Sequence, residues 1–168
     1  MYQRILVPVD GSPTSNAGLA EAIKLAKLTG ACVRVLHVVD ETAFLMGGDS
    51  FTPMSGDVFT LLKEAGQAVL EAARVKVSAA GLPVQVALFD GFTGRLSDRV
   101  AEQVRDWRAD VMVLGTHGRR GVGRMLMGSD AEQIVRTATV PVLLVRGTTP
   151  ELDHATSTGP SQARTETS

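Results

Sequence analysis

Apolar residues follow one another along this chain in short solid runs and longer periodic stripes. Residues 5–9 form a β-branched-rich apolar run stopped by Asp10-Gly11-Ser12-Pro13. A run of that length, closed by turn residues, predicts a buried strand. Ser12 before Pro13 predicts a helix N-cap with proline in the first helical position. Leu19, Ala22, Ile23, Ala26 and Leu28 follow at near-helical spacing, and Gly30 predicts the stop. The alternation then repeats. Strands are predicted at 33–39, 84–89, 111–114 and 141–145. A second helix is marked by Leu61, Leu62, Ala65, Val69, Ala72, Ala73 and Val77 and closed by Gly81. A third is marked by Leu96, Val100, Val104 and Trp107, and a fourth by Ala131, Ile134, Val135 and Ala138. Residues 40–56 hold Gly47, Gly48, Pro53 and Gly56 and read as a long loop.

The order βαβαβαβαβ predicts an α/β fold: one doubly wound domain with a five-stranded parallel sheet and helices on both faces. Solidly apolar strands suit a sheet covered on both sides. In such sheets ligands bind beyond the carboxyl ends of the strands, where the strand order reverses. The loops after strands one, two and four are therefore the places to look for chemistry.

Composition narrows the classes of function. The chain has 168 residues, enough for one domain. Residues 147–168 contain one large apolar side chain, Leu152, and are expected to form a flexible C-terminal tail after a domain at 1–146. Lys plus Arg is 17 and Asp plus Glu is 18, a net charge of −1, which argues against a nucleic-acid surface. No run approaches the ~18 apolar residues of a membrane span. The apolar run before Asp10 is too short for a signal-peptide core, so a cytoplasmic protein is expected. Cys32 is the only cysteine, which excludes an intrachain disulfide and reads as a small buried filler.

Glycine is in excess, at 17 residues, and five of them fall between Gly115 and Gly128. That segment follows the fourth predicted strand and also carries Arg119, Arg120 and Arg124 with no carboxylate. Glycines let backbone N–H groups approach a ligand. Ser129 begins a predicted helix whose N-terminus favours an anion, and arginine adds charge-assisted bonds to phosphate oxygens. These features describe a phosphate cradle. It is neither a dinucleotide fingerprint nor a Walker A loop: Leu126 stands where the third glycine would be, and Ser129-Asp130 follows Gly128 in place of Lys-Ser/Thr. Alternatives stay open for single residues. Asp10 fits a ligand contact or a simple turn, the arginines an anion site or a solvated basic face, and His117 a phosphate donor or a spectator. His37 fits a satisfied core or rim histidine better than a catalyst.

The spacing Gly115-x2-Gly118-x9-Gly128-Ser129 resembles the ATP-binding branch of the universal stress protein family. Residues 5–12, 36–40 and 140–145 add to the resemblance, which covers roughly residues 2–146. The resemblance implies an adenine-nucleotide α-hydrolase-like sheet of order 3-2-1-4-5, with ATP between strands one and four. Asp10 would meet the ribose, with Pro8 and Val9 lining the same wall. Val38 would meet adenine through its backbone. Gly115, Gly118, Gly128 and Ser129 would hold the phosphates, joined by Thr116, His117 and Arg119 of the same loop. Mg²⁺ beside the triphosphate and a homodimer along the fifth strand are also implied. Asp130 departs from the family pattern; it would repel a triphosphate unless it points away or helps to hold the metal. The function implied is a nucleotide-dependent regulatory or stress-response protein. The alternative is an adenine-nucleotide-hydrolysing enzyme of the α-hydrolase type with slow ATPase activity; against it, the first loop reads Asp-Gly-Ser-Pro-Thr-Ser and not Ser-Gly-Gly-x-Asp-Ser, the pyrophosphatase loop of the related ligases.

Overall fold

The computed structural model describes residues 1–39, 56–90, 95–116 and 128–147. The elements run β1 (Arg4–Pro8), α1 (Pro13–Thr29), β2 (Cys32–Val38), α2 (Gly56–Ala79), β3 (Val84–Phe89), α3 (Leu96–Asp106), β4 (Val111–Gly115), α4 (Ser129–Thr137) and β5 (Val142–Val145). The strands form one parallel sheet in the order β3-β2-β1-β4-β5. This is the order that the resemblance implies.

Strand periodicity divides the core between the two faces. Ile5, Val7 and Val9 point to one face and pack with Leu19, Ala22 and Ala26 of α1 and with Leu70, Ala73 and Val77 of α2. Leu6, Leu36 and Met112 point to the other and pack with Val100 and Val104 of α3 and Ile134 of α4. β1 lies at the centre, so Ile5, Leu6 and Val7 are all fully buried. Parallel strands take solid apolar runs for this reason, since both faces are covered.

α1 starts and stops where the capping residues direct. The Ser12 hydroxyl accepts the Ser15 N–H at 3.2 Å, and Pro13 occupies the first turn. At the other end Gly30 adopts φ +70°, a left-handed conformation that costs glycine little. α2 begins at Gly56, five residues before the first predicted apolar position. Gly56 therefore belongs to the helix, and the loop predicted over 40–56 is shorter by that residue. Residues 40–55 and the tail from 148 onward lie outside the described residues, so the readings made for them stand as expectations.

The amino-terminal end of the sheet is tied by Asp110. Its carboxylate accepts the N–H groups of Gln3 and Arg4 at 2.8 and 3.2 Å. Arg4 in turn donates to the Trp107 carbonyl at 3.0 Å.

Candidate functional site

β1 is flanked by β2 on one side and β4 on the other. The chain leaves β1 toward β2 and returns later to lay β4 on the opposite side. In doubly wound sheets such a reversal is where a ligand crevice forms, here between the carboxyl ends of β1 and β4.

The β1 wall is a rigid turn. Val9 N–H continues the ladder to the Leu36 carbonyl at 2.8 Å. Asp10 follows, and its Oδ1 accepts the Ser12 N–H at 2.9 Å, an Asx turn. Gly11, inside that turn, sits at φ +81°, where a side chain would be strained. Asp10 is thus both a turn residue and a residue at the mouth of the crevice; the two readings of it are compatible. The Asp10 N–H makes a long contact of 3.5 Å to the Ser15 hydroxyl, which itself donates to the Ser12 carbonyl at 3.0 Å.

The β4 wall is built by close approach. A Cβ on Gly115 would stand 2.6 Å from the Thr14 carbonyl oxygen and 2.9 Å from the Ser15 nitrogen. A Cβ on Gly18 would stand 3.3 Å from the Gly115 nitrogen. Two glycines therefore bring the first turns of α1 against the end of β4. Gly147, just after β5, also approaches this turn, since its Cβ would stand 2.6 Å from the Thr14 Cγ2. Glycine at 115 has a structural reason in addition to its place in the loop motif. Neither Gly18, Gly66 nor Gly147 was singled out from the sequence. A lone glycine inside the helical pattern was the available signal for the first two.

The mouth of the glycine-arginine loop is closed by backbone bonds. Thr116, which is buried, donates its N–H to the Val145 carbonyl at 3.0 Å. Its own carbonyl accepts the Gly128 N–H at 2.9 Å. The two ends of the segment are thereby held one hydrogen bond apart, next to β5. Gly128 is the N-cap of α4 and has no side chain to satisfy the first-turn N–H groups. Ser129 and Asp130 open that turn, and both are exposed. His117, Gly118 and Arg119 fall among residues 117–127 and lie outside the described residues.

Pro8 is half-buried and Val9 is buried on the β1 wall, and Val38 ends β2 beside them. Pro8, Val9, Asp10, Val38, Gly115, Thr116, Gly128 and Ser129 thus all stand at the carboxyl edge, on or next to the ends of β1, β2 and β4. His37 is buried, and its Nδ1 lies 2.7 Å from the Val9 carbonyl oxygen. This is the satisfied histidine that the sequence suggests.

Charge elsewhere is quieter. At the end of β3, Lys63 bonds Asp90 at 2.8 Å and holds its carboxyl below the usual carboxylate range. Cys32 is partly buried, not the fully buried filler the sequence suggests, and burial pushes its thiol up. Among the described residues no three His, Cys, Asp or Glu side chains converge on a metal position. None of the described helices is long and apolar enough to cross a membrane.

Known proteins resemble this chain in sequence and fold. The universal stress protein MJ0531 of Methanocaldococcus jannaschii is 32% identical over 149 residues, covering 87% of this chain and 83% of that protein. A solved structure from the universal stress protein family of Burkholderia pseudomallei is 27% identical, with a TM-score of 0.68, covering 85% of this chain and 95% of the other. A universal stress protein from Archaeoglobus fulgidus in complex with dAMP is 21% identical, with a TM-score of 0.60, covering 86% and 98%. The profile of the universal stress protein family matches residues 1–146. The chain belongs to the universal stress protein family.

Proposed function

We propose that the chain binds ATP in the crevice between β1 and β4 and acts as a nucleotide-dependent regulatory protein of the stress response in the cytoplasm. One observation carries the reading. The Asp10 turn follows β1, and the glycine-capped N-terminus of α4 is tied to the end of β4 through Thr116, so both stand at the carboxyl ends of neighbouring strands where the strand order reverses. Such a crevice offers a carboxylate at one end and the first-turn N–H groups of a helix, with a favourable dipole, at the other. A nucleoside phosphate has the matching polarity. Similar folds support the adenine base: besides the dAMP complex, a universal stress protein has been solved in complex with cAMP and an Arabidopsis thaliana family protein with AMP bound.

In this reading the Asp10 carboxylate accepts from ribose hydroxyls and the Val38 backbone meets adenine. Gly115, Gly118, Gly128 and Ser129 hold phosphate oxygens, joined by Thr116, His117 and Arg119 of the same loop. Mg²⁺ would neutralise phosphate charge. It usually takes phosphate oxygens, water and only one or two carboxylates. Asp130, exposed in the first turn of α4, would be the carboxylate at that end to hold the ion. A homodimer fits the β5 edge, where Leu143 and Leu144 are 39% and 41% exposed.

Slow ATP hydrolysis is the second reading, favoured by the family's fold relationship to α-hydrolases. Calorimetric titration with ATP and AMP, with and without Mg²⁺, paired with phosphate release, separates the two. Tight ATP binding with turnover far below the ~10 s⁻¹ of a median enzyme is expected. Enzyme-like turnover would overturn the regulatory reading, and absence of nucleotide binding would overturn both.

A further inference from the structure

His37 interrupts an otherwise apolar strand face. Val33 and Val35 precede it on the side of the sheet that α1 and α2 cover, and both are fully buried. A polar ring in that position has to be seated, and the chain gives up helix propensity to seat it. A Cβ on Gly66, in the middle of α2, would stand 2.8 Å from the His37 Cδ2 and 3.1 Å from its Nε2. Glycine in a helix interior is the least favourable residue short of proline. The room it leaves is occupied by this imidazole.

One ring nitrogen engages a carbonyl. His37 Nδ1 lies 2.7 Å from the Val9 oxygen, so this nitrogen carries the proton and donates to that carbonyl. The Val9 carbonyl belongs to the same peptide unit as the Asp10 N–H, which meets the Ser15 hydroxyl. Both ends of the Val9–Asp10 peptide plane are therefore addressed by side chains. A peptide plane is rigid, so fixing it fixes where the Asp10 side chain departs. The backbone of His37 leads directly into Val38. One residue thus spans the two segments that, in the proposed function, meet ribose and adenine.

We propose that His37 is a positioning residue for the nucleoside half of the site: its Nδ1–H bond to the Val9 carbonyl sets the spacing between the Asp10 turn and the end of β2. The inference rests on the nucleotide reading for its functional consequence, but the geometric part can be read without any ligand. Phenylalanine keeps the ring and removes the donor. Asparagine places its amide nitrogen close to the position of the imidazole Nδ1 and can keep the donor.

The experiment compares wild type, His37→Phe, His37→Asn and Gly66→Ala by calorimetry with ATP and with inorganic tripolyphosphate, and by amide hydrogen exchange. His37→Phe is expected to weaken ATP about tenfold, one hydrogen bond's worth by the usual conversion, and to leave tripolyphosphate within twofold. His37→Asn is expected to recover most of the ATP affinity. The Asp10 and Ser12 amides are expected to exchange faster in His37→Phe and not in His37→Asn. Gly66→Ala, which pushes the ring from the α2 side with its donor intact, is expected to act like His37→Phe and serves if the phenylalanine variant does not fold. Equal losses of ATP and tripolyphosphate, or wild-type exchange at Asp10 and Ser12 in both His37→Phe and Gly66→Ala, would overturn the inference. Wild-type protein that binds no nucleotide would overturn the proposed function, and the exchange rates alone would then decide the role of His37.

Discussion

A Gly115→Ala variant is expected to lose about 2–3 kcal/mol of folding stability, the usual cost of overpacking a filled interior. The added methyl meets backbone, not a side chain that can swing aside. It would sit 2.6 Å from the Thr14 carbonyl oxygen, 2.7 Å from the Thr14 carbonyl carbon and 2.9 Å from the Ser15 nitrogen. Relief requires moving the first turn of α1 away from β4, and that turn carries the Ser12 cap. Gly147 also lies close to Thr14, since a Cβ there would stand 2.6 Å from the Thr14 Cγ2. Gly30→Ala provides the contrast. Nothing lies within 4 Å of the added methyl there, and the cost is only that of φ +70°, about 1 kcal/mol. Urea denaturation reads both as midpoint shifts with unchanged slope. Gly115→Ala at wild-type stability, or below Gly30→Ala in cost, would contradict the close packing of α1 on β4.

The second large effect falls on binding. Asp10→Ala is expected to weaken ATP by about 10- to 150-fold, because hydrogen bonds to a charged group are worth roughly 1.5–3 kcal/mol. An opposing term exists, since removing a negative charge lessens repulsion of the phosphates. It is the smaller one: the phosphates would lie on the far side of the crevice, at a separation where salt screens exposed charges. Asp10→Asn separates turn from ligand. Its amide oxygen can still accept the Ser12 N–H, so the fold keeps the Asx bond seen at 2.9 Å. ATP affinity is nonetheless expected to fall, because the second oxygen becomes a donor. Inorganic tripolyphosphate has no ribose and is expected to bind both variants as it binds wild type. Calorimetry that finds ATP unchanged in Asp10→Ala would remove Asp10 from the site.

Much of the fold is written in local pattern. β3 runs from Val84 to Phe89, and α1 starts at Pro13 and stops before Gly30, as the turn and capping residues dictate. The start of α2 is less legible, because Gly56 and Asp57 are turn formers that here open a helix. Strand order is not legible in periodicity at all. It depends on pairings between residues far apart in the chain, such as Ile5 with Val111, and the resemblance supplied it. The site divides the same way. Asp10 and Ser129 stand out because strand ends and helix starts are local signals. The partners of Gly115, Gly66 and His37 do not, because nothing near a residue in sequence tells what approaches it in space. Gly115 shows the consequence: the loop motif explains its neighbourhood, and Thr14 explains why no side chain fits there.

Backbone amide shifts of the ¹⁵N-labelled protein, recorded as ATP and Mg²⁺ are added, test the central claim most directly. Binding in the crevice between β1 and β4 predicts the largest changes at Asp10, Val38, Thr116, Gly128 and Ser129. Val84 and Val111, at the opposite edge of the sheet, are predicted to stay still. A saturating titration that moves no amide, or that moves the opposite edge and leaves Asp10 and Ser129 unchanged, would contradict the account.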